Sequence, residues 1–564
     1  MWTKILLLFF VFSFLFRTDH SFDQDLGRHL KLGEIILKTG NIPNINLFSY
    51  TNPNFPFINT HWLFEVWAYL TSQTIGFQAL LILKIIIFLV SVGLILKVIP
   101  KQNSALLLPI GFVFLHILRE RLELRPEIFS FLFTASTYFI LEKYLKSPTK
   151  LLYLLPLVQL VWINTHIYFF VGLSLQAIFL IHLASQNLRL HPKGVKLKLL
   201  VFIFGLSVAV SLINPNGLKG LFYPFNVTKN YGYTIAENQT MFLLESINFR
   251  NPNFLFVKLA AATTLLSIAI ALFKKRLLIK NLALAGFGLA LALINVRGFP
   301  YLALISLPAV LQNFGSPKLN LWTKVFVALA IPILLYESYF YLNGDYYKYT
   351  NSDTEPKLVF AENAKNALDF VLKNDLSQPI FNNFDIGSYI AYRGWPKYRI
   401  FVDGRPEAYP KEFFSQTYIP AQSDFQKFKE LDQKNGFKTI IFSHTDQTPW
   451  GKTFLTKVVE DHNWKIVYID DFMIVLVKTD VLASQGPLRS EASVPLEAVD
   501  LSGLNPGRYS FNSHLSYLRL SLFLSQTGNL QSAQKFAEKG LAIFPESPLG
   551  NALFGLNVQN KIFW

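Results

Sequence analysis

Apolar runs long enough to cross a lipid bilayer recur through roughly the first 340 residues, and no other feature limits the fold as much. A helix rises about 1.5 Å per residue, so about 20 apolar residues cross a hydrocarbon core of about 30 Å. Eleven segments have this character: 2–16, 78–98, 103–118, 127–142, 150–163, 167–185, 199–213, 254–273, 281–295, 299–313 and 321–340. Inside lipid every backbone N–H and C=O must be bonded within the segment, so each run is expected to be a helix. Composition agrees: 52% of the 564 residues are hydrophobic, 16% are charged, and mean hydropathy is +0.33. This excludes a soluble enzyme and a disordered chain. There is no Cys, hence no disulfide scaffold, thiol nucleophile, Cys-ligated zinc or iron–sulfur cluster.

The net charge is +16. In a soluble chain it would suggest a nucleic-acid partner; here none is expected, because the basic residues follow the loops. Lys97 and Lys101, then Lys143, Lys146 and Lys150, then Arg189 to Lys198, Lys274 to Lys280, and Lys318 with Lys324 occupy alternate short connections. Cytoplasmic loops carry such an excess. The run after Met1 ends in Arg17-Thr18-Asp19 with no small-residue cleavage site, so it reads as an uncleaved anchor with a cytoplasmic N-terminus. Segments 17–77, 214–253 and 344–564 then lie outside a plasma (inner) membrane. Segment 344–480 alternates short β-branched or aromatic runs (379–382, 399–402, 439–443, 465–469, 472–478) with helix-like stretches such as 423–434, as a small extracytoplasmic α/β domain would. Residues 481–504 read as a linker. Residues 505–564 carry Leu515, Leu518, Leu522, Gly528, Ala533, Phe536, Gly540 and Pro545 at the spacing of one helix–turn–helix repeat, which resembles a tetratricopeptide (TPR) unit. Such a unit needs a neighbour, here the α/β domain or a protein partner.

The informative charges are those at outer membrane edges, where no positive-inside bias explains them. A helix over 24–38 puts Asp25, Arg28 and His29 at i, i+3 and i+4, a carboxylate beside two cationic or proton-accepting groups. Such a carboxylate can act as a general base toward a hydroxyl; a solvated interfacial face is the plainer alternative. His61 and Glu65 stand at i, i+4 entering the second span, a weak metal signal and as readily an interfacial ion pair. Arg119-Glu120-Arg121-Leu122-Glu123-Leu124-Arg125-Pro126-Glu127, if helical, sets Arg121 and Arg125 on one face; arginine suits bidentate phosphate binding, while the three Glu allow a self-neutralising loop. Asn164, His166 and Arg297 lie at outer helix ends, as ligand contacts or as caps and turns. In the outer domain, 382–389 and 401–407 place polar groups at strand ends, with structural turns the favoured reading. There is no P-loop, GxSxG elbow or Rossmann fingerprint.

This order of parts resembles the GT-C superfamily of integral-membrane glycosyltransferases, and within it a bacterial group of multi-pass proteins. The stretches that carry the resemblance are Asp23-Gln24-Asp25 with Arg28-His29-Leu30 and Gly33; Phe48-Ser49-Tyr50-Thr51; His61-Trp62-Leu63-Phe64-Glu65; Arg125-Pro126-Glu127; Trp162 with Asn164 and His166; and Asn214-Pro215, over roughly residues 1–480. The resemblance implies a sugar donor on a polyprenyl phosphate at the outer leaflet. It implies Asp25 or Asp23 as the base, a single inverting displacement, and Arg121, Arg125 or Arg297 on the departing phosphate. Some relatives use a divalent metal such as Mg or Mn, for which Asp23, Asp25 and Glu65 would be the oxygen donors. Two other functions fit: a lipid-linked polysaccharide polymerase or ligase relying on arginines and a histidine, and a non-catalytic scaffold docking through 505–564.

Overall fold

The computed structural model describes residues 2–20, 25–100, 104–187, 194–227, 231–249, 251–315, 321–484 and 496–559. The expected apolar runs are helical: α1 (Trp2–Leu15), α2 (Gly27–Thr39) and α3 (Trp62–Thr74) in the first polar segment, α4 (Phe77–Val98), and further helices over Ser104–His116, Glu127–Lys146, Leu154–Ile163, Phe170–Asn187, Gly194–Val210, Asn253–Phe273, Ile279–Ile294, Leu307–Phe314 and Leu321–Leu342. Among the described residues, Phe77–Val98, Ile167–Gln186 and Asn253–Phe273 are long and apolar enough to cross a membrane, and four shorter helices are also apolar. On α4, Ile85, Phe88 and Val92 are buried, whereas Ile82, Ile86 and Val90 are about half exposed at i, i+4 and i+8. An apolar helix that keeps such a stripe uncovered has its second partner in lipid.

The lysine-rich connections gather at one end of the bundle. Lys4 Nζ donates to the Leu96 carbonyl, Lys196 Nζ to that of Leu145 at 3.1 Å, and Arg276 to that of Asn313 at 2.6 Å. A buried ion pair ties the other end: Lys84 of α4 meets Asp19 at 2.9 Å, and Asp19 also accepts from the Leu124 N–H at 3.2 Å.

The α/β domain forms at that second end. Its sheet runs β1 (Ile380–Asn382), β2 (Thr439–Ser443), β4 (Met473–Lys478), β3 (Trp464–Ile469) in spatial order, with β1–β2 parallel and the other pairs antiparallel. The β3–β4 hairpin turns at Asp470, whose Oδ1 accepts from the N–H groups of Phe472 (2.9 Å) and Met473 (2.7 Å). The expected strand over 399–402 does not form. Its N–H groups go elsewhere: Ile400 donates to Phe48 O (3.0 Å) and Phe401 to Asn382 Oδ1 (2.9 Å). The segment instead bonds the first polar loop to the domain. Arg405, paired with buried Asp403 and packed between the Phe48 and Phe57 rings, completes that junction, so the favoured structural reading of this motif holds for these two residues.

Among the described residues the tail has three helices, His514–Gln526, Leu530–Ile543 and Pro548–Gln559, one more than the expected hairpin. Gly528 sits in the first turn at φ +79°, the left-handed region that glycine enters freely. Leu520, Phe523, Leu524 and Phe536 share one core with Ile440, Phe442 and Ile474 of the sheet, so the α/β domain supplies the neighbour the hairpin needs. Of the expected linker, 481–484 end a helix, 496–504 are irregular, and the stretch between lies outside the described residues.

Candidate active site

A cavity of about 630 Å³ opens at the end of the bundle away from the lysine-rich turns, roofed by the α/β domain. Asp25, Arg28, His29, His61, Arg121, Arg125, His166 and Arg297, far apart in sequence, all line it. Glu65 and Asn164 are not in its wall, and Asp23 lies outside the described residues.

The first contribution comes from α2, which starts at Gly27 after a single wide turn at Asp25 and Leu26. The i, i+3 spacing brings Arg28 Nη2 to Asp25 Oδ1 at 3.0 Å. Arg125 Nε takes the other oxygen at 3.1 Å. Burial raises the Asp25 carboxyl, but Arg125 and Arg28 outweigh it and hold the group below the usual carboxylate range. His29 turns from Asp25 to α3, its Nδ1 3.1 Å from Glu65 Oε1. The expected His61–Glu65 pair is therefore not made. His61 is the residue before the first turn of α3, and Glu65, on the buried face, meets the neighbouring helix instead. Gly33 allows this: a Cβ there would stand 2.1 Å from the Glu65 carbonyl oxygen, so only glycine lets α2 and α3 cross so closely.

Residues 119–127 are not one helix. A short 3₁₀ turn covers Ile117–Glu120, residues 121–126 are irregular, and the next helix begins at Glu127. Pro126 disfavours helical backbone at Arg125. The two arginines converge even so, on a carboxylate that sequence reasoning did not single out. Glu237, in a short turn over Ala236–Asn238, meets Arg121 Nη1 at 2.5 Å, Arg125 Nη1 at 3.0 Å and Arg297 Nη2 at 3.2 Å. Burial opposes its ionisation, but Arg121, Arg125 and Arg297 hold its carboxyl well below the ordinary range. Arg121 is also forked onto Glu127, at 2.5 and 3.0 Å. Glu237 carried no local signal; only its position in the polar segment 214–253 could have suggested it.

His166 lies 5.6 Å from His61 between ring centres and stacks on Tyr168. Its Nδ1 is 2.7 Å from Ser130 Oγ, which also accepts from the Trp162 indole at 2.7 Å. Asn164 is structural: it accepts from the Trp62 indole at 2.8 Å and donates to the carbonyls of Leu160 and Ile213, both at 2.9 Å. From the α/β domain, Asp385, Gly404 and Glu407 reach the wall, two of them acids that sequence reading left structural. Burial, then Asp446 and Asp25, pushes the Asp385 carboxyl up to about 7.

Of the three expected oxygen donors, Asp23 lies outside the described residues, and Asp25 and Glu65 are both engaged by other side chains. Among the described residues no three His, Asp or Glu side chains converge as ligands. Arg125 already bridges Asp25 and Glu237, and Glu65 is engaged by His29 and by Asn59 at 2.7 Å.

No family model matches the sequence, and no curated relative matches it. The fold is similar to a solved structure of the archaeal oligosaccharyltransferase AglB from Archaeoglobus fulgidus in complex with an inhibitory peptide and a dolichol-phosphate, at 11% identity and a TM-score of 0.55, over 97% of this chain and 86% of that chain. The fold is GT-C-like. The helical bundle and part of the α/β domain share one apolar core, and the cavity lies where they meet. The resemblance drawn from short motifs agrees with the AglB structure at the level of fold.

Proposed function

We propose that the chain is a membrane glycosyltransferase that moves a sugar from a polyprenyl-phosphate donor to an acceptor hydroxyl by a single inverting displacement. In this reading the eleven runs all cross the plasma membrane, the cavity opens on the outer face, and the tail is a TPR-like repeat against its own α/β domain. The observation that carries the reading is the trio Arg121, Arg125 and Arg297 around one carboxylate. Three guanidiniums gathered on a single anion are suited to a phosphate monoester or diester, whose oxygens their planar forks match. Glu237 occupies the place that the lipid phosphate takes on binding. Charge growing on the departing phosphate is then stabilised by groups fixed beforehand, which in many enzymes supplies more of the rate enhancement than any other effect.

Asp25 holds Arg28 and Arg125 in position under this seat. Aromatic and apolar wall residues, among them Tyr168, Phe170, Phe225 and Ile294, give the sugar and the first isoprenes a surface to pack on. The AglB structure's bound dolichol-phosphate supports a lipid-linked donor for a fold of this kind. The test is direct binding of undecaprenyl phosphate to the purified full chain in nanodiscs, with and without Arg121→Ala and Arg297→Ala. Saturable binding lost in both variants is expected. Binding that ignores both arginines would refute the phosphate seat.

A further inference from the structure

We propose that His29 takes the proton from the acceptor, with Glu65 as the positioning residue that sets its imidazole. This deepens the transferase reading and rests on it. Asp25, the carboxylate expected to act as base, has both oxygens engaged by guanidiniums, Oδ1 by Arg28 at 3.0 Å and Oδ2 by Arg125 at 3.1 Å. A carboxylate stabilised in this way gains little by accepting a proton. One turn along α2, His29 faces the same cavity without a cation on its nitrogen.

Its surroundings define which nitrogen is open. Glu65 Oε1 lies 3.1 Å from His29 Nδ1, and Glu65 Oε2 accepts from Asn59 Nδ2 at 2.7 Å. The orientation of the Asn59 amide is set because its Oδ1 accepts from the His61 N–H at 3.0 Å. Glu65 Oε2 thus accepts from one fixed donor, and Oε1 is left to His29 Nδ1. With Nδ1–H donating to Glu65, the lone pair is on Nε2, which has no hydrogen-bond partner among the described residues. Carboxylate-held imidazoles act as bases in this arrangement, the carboxylate stabilising the imidazolium that forms.

In the step, the acceptor O–H proton passes to Nε2 as the oxygen bonds to the anomeric carbon. The bond from that carbon to the phosphate oxygen breaks, and its electron pair leaves on the polyprenyl phosphate. The imidazolium then gives its proton to water.

The pair also sets a pH dependence. Burial pushes the Glu65 carboxyl up to about 7, against the opposing pull of Asn59, Arg28 and Arg405. Below that pH Glu65 keeps its proton and donates it to Nδ1, so Nε2 carries hydrogen and cannot accept. Above it the carboxylate draws Nδ1–H and Nε2 opens. Burial, with Arg28, His61, Arg125 and Arg405 around it, holds His29 well below the ordinary imidazole range, so the ring starts neutral and its imidazolium forms only against the Glu65 carboxylate. Those arginines do not titrate in this range, and burial lowers His61 to about 3. Transfer therefore rises with pH through about 7.

The experiment uses the full chain in nanodiscs, synthetic polyprenyl-phosphate glucose as donor and octyl glucoside as acceptor. Release of polyprenyl phosphate gives turnover, and undecaprenyl phosphate binding is measured separately. His29→Gln should lower turnover by about 100-fold or more, the usual worth of a general base, with binding within threefold of wild type. Glu65→Gln should abolish the rise through neutral pH, and Glu65→Asp should keep a rise at reduced rate. His29→Gln turning over within threefold of wild type, or an unchanged pH limb in Glu65→Gln, overturns the proposal. Diethyl pyrocarbonate, which attacks an unprotonated imidazole nitrogen, is a second readout by mass spectrometry. His29 should be modified above neutral pH and protected by undecaprenyl phosphate; an unreactive His29 in a chain that still binds the lipid also overturns it. A wild-type chain that binds no undecaprenyl phosphate refutes instead the donor reading on which the proposal stands.

Discussion

Replacing Glu237 by glutamine separates what the carboxylate does for the fold from what it denies to a ligand. Its oxygens meet three guanidiniums, at 2.5, 3.0 and 3.2 Å. Losing one partner of a buried pair costs about 3–5 kcal/mol. The Glu237 side chain is 28% exposed, and solvent screening brings the expected loss down to about 1–2 kcal/mol. The sign for binding is opposite. A phosphate must displace Glu237, and a hydrogen bond to a charged group is worth about 1.5–3 kcal/mol net. A neutral amide leaves the geometry while giving up roughly half of that strength. Removing the competing charge from one such bond gives about 1.4 kcal/mol, a tenfold change in Kd, and from two about a hundredfold. The expected result is therefore a slightly less stable protein that binds undecaprenyl phosphate about 10–100 times more tightly. Tryptophan-fluorescence titration in nanodiscs and a thermal scan without lipid measure the two effects. Binding unchanged or weakened in Glu237→Gln refutes the exchange of carboxylate for phosphate.

Other consequences are independent of that exchange. Asp25→Asn should preserve expression and folding but weaken undecaprenyl phosphate binding, because Arg28 and Arg125 lose their shared anchor; loss of activity with Arg121→Ala and none with Asp23→Asn or Asp25→Asn favours the polymerase or ligase alternative. Transfer should survive millimolar EDTA, since Arg125 fills the space between Asp25 and Glu237; stoichiometric Mn²⁺ binding abolished by Asp25→Asn contradicts this. Gly33→Ala should cost about 1–3 kcal/mol through overpacking, measured by thermal unfolding, and flatten the pH dependence of transfer by parting His29 from Glu65. Lys84→Met strands the buried Asp19 carboxylate and should destabilise by about 3–5 kcal/mol; a melting temperature equal to wild type shows the pair to be dispensable.

The sequence by itself determined the membrane class, the helical runs, the α/β character of 344–480 and most charged residues of the cavity. Those follow from short-range rules: apolar length, period-two strands, and charges placed where nothing local accounts for them. Tertiary structure alone decided the partners. Glu65 satisfies His29 rather than His61 because Gly33 lets two helices touch. Arg121 and Arg125 converge through an irregular loop rather than a helix face, because Pro126 disfavours the helix and Glu237 draws both together. Residues 399–402, strand-like in sequence, form no strand: Ile400 bonds a loop more than 300 positions away, and the Phe401 N–H goes to the Asn382 side chain. A carboxylate's role depends on what burial leaves beside it, and hydrogen-bond partners brought from distant segments are set by packing, which no spacing along the chain records.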